Sequence, residues 1–363
     1  MFQDRIVNPS RIGIDPDQYR LAVESLRDQV ETGKIAGAGM CVGRRGGVVE
    51  PVVLGLAPEP RFLVASLTKP VVAIAAMLLI ERGTLGLDDR VVEFLPEFVG
   101  DHKDEVRVRH ILTHTSGLPD QLPENVALRS SHAGLSSFIE GTCRHPLLFP
   151  PGTRVRYQSM GFALLGAIVE RIVRQVFGDF LRTDIFEPLG MHSTALGVAD
   201  DALGDIAKCR LPDEQEGTDW SWNSPYWLGL GAPWGGLVTT LDDFARLSRM
   251  MLDGGTLGKT RLLGPASVQA MTRNQLVGFP HLPEDDRRCR PLGLGWRLHW
   301  PGISANFGDL LGPNAYGHWG ATGTLCWIDP DADAFFLLFT TLPGNDQGRH
   351  LARFSNMIAA SLR

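Results

Sequence analysis

The sequence predicts an α+β fold in which one sheet draws strands from both ends of the chain and a mostly helical lobe comes from the middle. Short apolar runs punctuated by glycine lie near the amino and carboxyl ends. Segments with apolar residues at helical spacing dominate between them. A third observation sets the centre of the molecule: Pro70 to Ile80 is apolar on every side, so its helix has no face for solvent and belongs inside.

Each element follows in order. Asp15 to Thr32 carries Tyr19, Ala22, Leu26 and Val30 at near-helical spacing, with Asp15 as N-cap, Pro16 in the first helical position and Gly33 as stop. The runs IAGAGMCVG, GGVVEPVVLG and RFLVAS read as strands joined by tight turns. The apolar helix spans Leu67 to Arg82 and closes at Gly83. LDDRVVEFLPEF, with Asp88 and Asp89 as caps, and VRVRHILTH read as helical, and SMGFALLGAIVERIVRQVF is the clearest amphipathic helix. Leu241 to Asp253 forms another helix, ended by Gly254 and Gly255. Strands return at LGLGWRLHW, YGHWGATGTLCWIDP and DADAFFLLFTT, before a last helix from about Gln347 to Leu362. The expected division is an α/β lobe from residues 1–85 and 290–363, and a mainly helical lobe from 86–289.

Composition narrows the function. At 44% apolar and 21% charged residues, the 363-residue chain has the balance of a globular protein, long enough for one large or two interleaved domains. Its net charge of −6 comes without long like-charge blocks, which argues against a nucleic-acid partner. Cys41, Cys143, Cys209, Cys289 and Cys326 are odd in number and scattered, with no CxxC pair, so neither a zinc ribbon nor a disulfide framework is expected. MFQDRIVNPSRIGID has no basic stretch followed by an apolar one, and the 11 residues Pro70–Ile80 are too few to span a bilayer. The expectation is a cytoplasmic protein without a membrane span.

The sharpest local feature is Ser66-Leu67-Thr68-Lys69, at the mouth of the apolar helix. Residues three apart share a helix face, so the Ser66 hydroxyl and the Lys69 amine can meet. A serine hydroxyl is a poor nucleophile until a base takes its proton, and an amine among apolar neighbours can be that base. N–H groups at the helix start also favour a developing oxyanion. With 17 serines and 5 lysines in the chain, chance supplies roughly 0.23 such pairs, so the pair alone is a weak signal. The bland alternative is an N-cap serine followed by a lysine that snorkels to solvent.

Two later segments strengthen the catalytic reading. Phe149-Pro-Pro-Gly-Thr-Arg-Val-Arg-Tyr157-Gln158-Ser159 runs into the long amphipathic helix, and its tyrosine can exchange protons with the nucleophile or leaving group. Tyr316-Gly317-His318-Trp319-Gly320-Ala321-Thr322-Gly323 has glycines around His318 that allow another backbone to approach, as a strand lining a cleft requires. Together with Leu112-Thr-His-Thr-Ser-Gly-Leu118, Glu187-Pro-Leu-Gly-Met191 and Trp234-Gly-Gly-Leu237, these segments make the chain resemble the serine β-lactamase and penicillin-binding-protein superfamily from about residue 20 to 360. The pattern is most similar to the branch holding class C β-lactamases, DD-peptidases and family VIII carboxylesterases. Class A is disfavoured, because neither Ser-Asp-Asn nor Lys-Thr-Gly occurs.

The resemblance implies a β-lactamase-like α+β fold: an antiparallel sheet flanked by helices, a mostly helical lobe, and an active site in the cleft between them. It implies that Ser66 is the acylated nucleophile, Lys69 its base partner and Tyr157 the proton-shuttling tyrosine. It further implies an oxyanion hole from the N–H groups of Ser66 and Ala321, with Ser159, His318, Trp319 and Gly320 binding substrate and no cofactor or metal. Two departures bear on substrate. Ser159 stands where the family usually has asparagine, and His318-Trp319 replaces the Lys-Thr pair that draws a β-lactam carboxylate. A neutral imidazole and an indole suit an uncharged small-molecule ester or amide.

Short-chain carboxylic esters are therefore the first expectation. A D-amino-acid amidase or DD-peptidase, a weak β-lactamase, and a catalytically inactive binding scaffold are the alternatives. Other chemistries lack their residues: there is no Gly-x-Ser-x-Gly and no His-Glu-x-x-His, so His110 and His114 read as packing or hydrogen-bonding residues and Ser116 as part of a structural loop. The aromatic stretch Trp220, Trp222, Tyr226, Trp227 and Trp234 reads either as a pocket wall or as cover for the sheet edge.

Overall fold

The computed structural model describes residues 6–289, 291–299, 307–344 and 349–363. From the amino-terminal part come β1 (Ala38–Arg44), β2 (Gly47–Val48), β3 (Val52–Leu54) and β4 (Phe62–Leu63). The middle contributes the short strands β5 (Ala195–Leu196), β6 (Leu237–Thr239), β7 (Thr256–Leu257) and β8 (Thr260–Arg261). The carboxyl-terminal part adds β9 (Arg297–Leu298), β10 (Tyr316–Gly320), β11 (Thr324–Asp329) and β12 (Ala334–Thr340).

The main sheet has the order β2-β1-β12-β11-β10-β9, with β3 also on β1. Its pairs are antiparallel: Ala38 faces Thr340 at one end of β1–β12 and Arg44 faces Ala334 at the other. The β10–β11 pair runs from Tyr316 opposite Ile328 to Gly320 opposite Thr324. Every residue of β1, β11 and β12 is buried. That is why these strands read as continuous apolar runs rather than alternating ones.

The period of two is still present, because alternate residues enter two different cores. Met40, Val42, Leu325, Trp327, Phe336 and Leu338 pack with Tyr19, Leu26, Leu351 and Phe354 of the two terminal helices. Cys41, Cys326, Ile328, Phe335, Leu337 and Phe339 face the larger core with the helices of the middle. Helix Leu241–Leu252 lies on this second face, where the Phe244 and Phe339 rings meet edge to face at 5.8 Å. The lobe boundaries at 85/86 and 289/290 remain a proposal, since this helix from the middle stretch lies against β1 and β12.

Helix Pro16–Glu31 starts as its caps dictate: the Asp15 carboxylate accepts from the Asp17 and Gln18 N–H groups. The central helix is Thr68–Glu81, with every residue from Thr68 to Leu79 buried and Gly83 following at φ 71°. Met160–Val173 packs beside it. Cys41, Cys143, Cys209 and Cys326 are free, buried thiols, and the side chain of Cys289 lies outside the described residues.

Several elements are shorter than their patterns predict. Only Phe62–Leu63 of RFLVAS is a strand, and it joins β6 and β5 in a separate three-stranded sheet. LDDRVVEFLPEF and VRVRHILTH yield helices only at Val91–Phe94 and Val108–Leu112, and the residues just before each, Arg90 and Arg107, pair in an antiparallel bridge instead of extending them. Asp88 and Asp89 do not cap. Asp88 takes both nitrogens of the Arg109 fork, Asp89 accepts from the Gly86 N–H at 2.6 Å, and Arg90 is the N-cap residue. Within LGLGWRLHW only Arg297–Leu298 is a strand, since Leu294 and Gly295 donate instead to the Met271 and Leu112 carbonyls; Trp300 lies outside the described residues. The last helix is described over Arg349–Ala359, and its expected start at Gln347 lies outside the described residues.

Candidate active site

The segment that presents Ser66 is clamped from several sides. Val64 donates its N–H to the Leu237 carbonyl at 3.0 Å. Thr322 and Thr324, at the β10–β11 turn, donate their hydroxyls to the Leu63 and Val64 carbonyls at 2.7 and 3.0 Å. Thr68 Oγ1 donates to the Ala65 carbonyl at 2.6 Å and accepts from the Leu237 N–H at 3.0 Å. Held this way, Ala65 adopts φ 46°, a left-handed conformation that costs an alanine about 1 kcal/mol or more. The strain sits one residue before Ser66, in the single 3-10 turn Ala65–Leu67 that feeds the central helix.

Lys69 is fully buried, which removes the solvent-snorkelling alternative. Its Nζ donates to Ser66 Oγ at 3.1 Å and to the Trp234 carbonyl at 2.8 Å. The same nitrogen lies 4.8 Å from the Tyr157 ring centroid and 5.7 Å from that of Phe162. No carboxylate pairs with it among the described residues. Hydroxyl, amine and phenol, from two distant stretches of chain, thus share one site.

Tyr157 is placed by its neighbours. The next residue, Gln158, is buried; its backbone N–H donates to His114 Nδ1 at 3.2 Å and its amide to the Ile111 carbonyl at 3.0 Å. The His114 ring lies against Tyr157 with centroids 4.6 Å apart. His114 reaches this position at φ 56°, so the Leu112–Leu118 segment serves as the seat of the tyrosine. Ser116 is structural: buried, with its hydroxyl accepting from the Leu118 N–H at 3.2 Å. His110 is tied locally, its Nδ1 accepting from the Arg107 N–H at 3.1 Å. Ser159 is buried too, and its hydroxyl donates to Asp120 Oδ1 at 2.6 Å.

β10 forms the opposite wall. His318 is buried with its Nδ1 engaged by the Trp319 backbone, while Nε2 is enclosed without a partner among the described residues. Its ring centroid is 6.1 Å from that of Tyr157. At Gly320 only glycine fits, because a β-carbon would be built onto the Val64 carbonyl and the Thr324 hydroxyl. Ala321 follows at the exposed rim, its carbonyl accepting from the Gly344 N–H. Trp319 packs edge to face on Phe307 at 5.4 Å.

A residue without a motif belongs to the same site. Arg297, on β9 opposite Gly317 of β10, lays its guanidinium 4.7 Å from the Tyr157 ring and 4.2 Å from the Trp319 ring. Burial holds this guanidinium below its usual range, partly offset by the Tyr157 phenol and the Asp120 carboxylate. Its charge is felt around it. Both His114 and His318 are held well below the ordinary histidine range, first by burial and then by Arg297 and Lys69. The two imidazoles are therefore neutral at pH 7, beside the Arg297 guanidinium. Sequence reasoning missed Arg297 because no pattern links Gly-Trp-Arg to a tyrosine 140 residues earlier.

The aromatic stretch does something different from either expected role. Trp220 and Trp227 hold the guanidinium of Arg129 at 4.8 and 4.4 Å from their ring centroids, and Arg129 also donates to the Trp220 carbonyl. Tyr226 stacks on His132 at 4.6 Å and donates its hydroxyl to the Ala133 carbonyl. Trp222 is partly buried against the larger core. Trp234 packs its ring on Phe138 and Trp227, and its carbonyl reaches Lys69. The cluster cages a buried cation and, through Trp234, braces the lysine.

A serine hydroxyl within 3.1 Å of an amine, with a phenol alongside and two neutral imidazoles, has the nucleophile–base geometry of acyl transfer. Comparison with known proteins agrees with this chemistry. A family model described as Beta-lactamase matches residues 23–360. A protein of Salmonella enteritidis PT4 (strain P125109) named "Putative D-alanyl-D-alanine carboxypeptidase" is 30% identical over 283 residues, 70% of this chain and 63% of that protein. The chain thus spans less than two thirds of that relative's length.

Among solved structures, EstCE1, titled a hydrolase with promiscuous acyltransferase activity, superposes with a TM-score of 0.78 at 21% identity, covering 94% of this chain and 99% of that one. A family VIII carboxylesterase superposes with a TM-score of 0.74 at 19% identity, covering 95% and 98%. At these identities the two structures establish the shared fold.

Proposed function

The chain belongs to the beta-lactamase family, and from that premise we propose that it is a serine hydrolase that cleaves carboxylic esters through a covalent acyl-enzyme. The observation that carries the proposal is the 3.1 Å bond from Lys69 Nζ to Ser66 Oγ beneath the Tyr157 ring. Ser66 Oγ forms the bond to the acyl carbon while its proton passes to Lys69 Nζ. Negative charge on the carbonyl oxygen is met by the N–H groups of Ser66 and Ala321. As the bond to the alkoxide breaks, Lys69 hands that proton on through the Tyr157 phenol to the departing oxygen, so both groups end as they began. Water then adds to the acyl carbon, releases the acid and restores the Ser66 hydroxyl.

The neutral His318 imidazole and the Trp319 indole, standing in place of a Lys-Thr pair, favour an uncharged acyl group, which is why an ester is preferred to a β-lactam carboxylate. A second reading, a D-amino-acid amidase or DD-peptidase, is favoured by the name of the Salmonella relative. A fluorophosphonate probe decides whether acyl transfer occurs at all: the expected result is one label per chain on Ser66, lost in Ser66→Ala. An intact, folded sample that takes no label overturns the hydrolase reading and leaves a binding scaffold. A side-by-side panel of p-nitrophenyl esters, D-amino-acid anilides and nitrocefin should rank the esters first; faster anilide cleavage would move the assignment to the second reading.

A further inference from the structure

Arg297 is partly buried, and drawing a guanidinium out of water is costly unless something answers its charge. Among the described residues, no carboxylate forms an ion pair with Arg297. Asp120 is the carboxylate it feels, and that group already takes the Ser159 hydroxyl at 2.6 Å. Nε of Arg297 is enclosed without a partner. What answers the charge instead is aromatic: the ring centroids of Tyr157 and Trp319 lie 4.7 and 4.2 Å from the guanidinium carbon, and the Tyr157 phenol offsets part of the effect of burial.

We propose that Arg297 is the positioning residue of Tyr157: clamped between Tyr157 and Trp319, it holds the phenol beside Lys69 and offsets the negative charge that builds on its oxygen during proton transfer. The inference rests on the reading of Tyr157 as the proton carrier given above. It also gives Trp319 a role, as the plate that keeps the guanidinium planar against the tyrosine. β9 is a two-residue strand, yet it pairs with β10 at Gly317, next to His318. This register brings Arg297 to the site wall. Lysine cannot substitute fully, because a tetrahedral ammonium does not stack between two rings as a planar guanidinium does.

The test uses Arg297→Ala and Arg297→Lys in the full chain, in wild-type and Tyr157→Phe backgrounds, with p-nitrophenyl acetate as neutral ester and mono-p-nitrophenyl succinate as anionic ester. Arg297→Ala should lower kcat for the neutral ester by about 10- to 100-fold with KM changed by less than about twofold. Added guanidinium should restore part of that loss. In the Tyr157→Phe background the same substitution should cost less than about threefold, because the group it positions is gone. Arg297→Lys, the milder change should the alanine variant not fold, should lie between the two and gain nothing from added guanidinium.

Equal losses in both backgrounds would overturn the proposal. So would normal turnover of the neutral ester with a raised KM for the succinate ester, which makes Arg297 an anchor for anionic substrate. If Tyr157→Phe by itself turns over normally, the tyrosine reading fails before Arg297 is in question. The two failures are thus distinct.

Discussion

Lys69 tests whether a buried polar group here serves stability or chemistry. A fully buried amine with two hydrogen-bond acceptors and two aromatic neighbours, and no carboxylate among the described residues, is a poor source of stability. Replacing it by an unbranched apolar side chain of similar volume keeps the contacts with Tyr157 and Phe162 and loses one donor to the Trp234 carbonyl. We therefore expect Lys69→Met to leave Tm within about 3 °C of wild type. The same variant should slow acylation by a fluorophosphonate by about 10³-fold or more, since the base beside Ser66 is gone. Near-normal labelling in a folded Lys69→Met protein would remove lysine from the mechanism. Ser66 and Lys69 were legible in the sequence as a Ser-x-x-Lys pair at the mouth of an apolar helix, three residues apart and within reach of each other through local geometry. Arg297 was not, since its partners Tyr157 and Trp319 are brought together only by the β9–β10 register.

At the level of elements, legibility follows the range of the forces involved. The central helix was readable because every one of its residues from Thr68 to Leu79 is buried, so composition alone marks it. The 3-10 turn that carries Ser66 was not readable, because tertiary hydrogen bonds from Thr322, Thr324 and Leu237 hold it, 170 or more residues away. The same contrast separates two substitutions. Gly320→Ala sets a β-carbon against the Val64 carbonyl and the Thr324 hydroxyl, two members of that clamp. Backbone cannot yield cheaply there, so we expect a loss of about 1–3 kcal/mol in stability and at least about a tenfold fall in kcat/KM. Thr240→Ala removes the N-cap of helix Leu241–Leu252, whose hydroxyl accepts from the Asp243 N–H at 3.2 Å. It should cost about 1 kcal/mol and leave kcat/KM within about twofold. Urea unfolding and p-nitrophenyl acetate kinetics on both variants check this, and equal effects on activity would refute the placing of Gly320 in the clamp.

The whole molecule carries its histidines in a way that sets how stability depends on pH. His110 and His350 are pushed down to about 4 by burial, and for His110 also by Arg107 and Arg109. His114 and His318 are held well below the ordinary range and His299 below it, burial being the first cause in each. The unfolded chain, with ordinary imidazoles, binds more protons than the folded one between the two sets of values. Each of these groups therefore contributes stability that is fully present above about pH 6.5 and is lost as pH falls toward its folded value, with an upper bound of roughly 3 kcal/mol for His110 or His350. His102 shifts the other way beside Glu105, but it is exposed and its pair is screened by salt. Asp243, raised mainly by burial, opposes the trend as a single group. The sum has one sign: Tm should fall steadily as pH is lowered from 7 to 4.5, and His350→Gln, which removes a buried imidazole whose Nε2 has no partner, should flatten that slope without altering turnover at pH 7.5. Differential scanning calorimetry across this range measures both slopes. A Tm that is flat or rises on acidification, or a His350→Gln slope as steep as wild type, would mean that the imidazoles are not buried neutral in the folded protein, and the electrostatic picture of the site that depends on neutral His114 and His318 would fall with it.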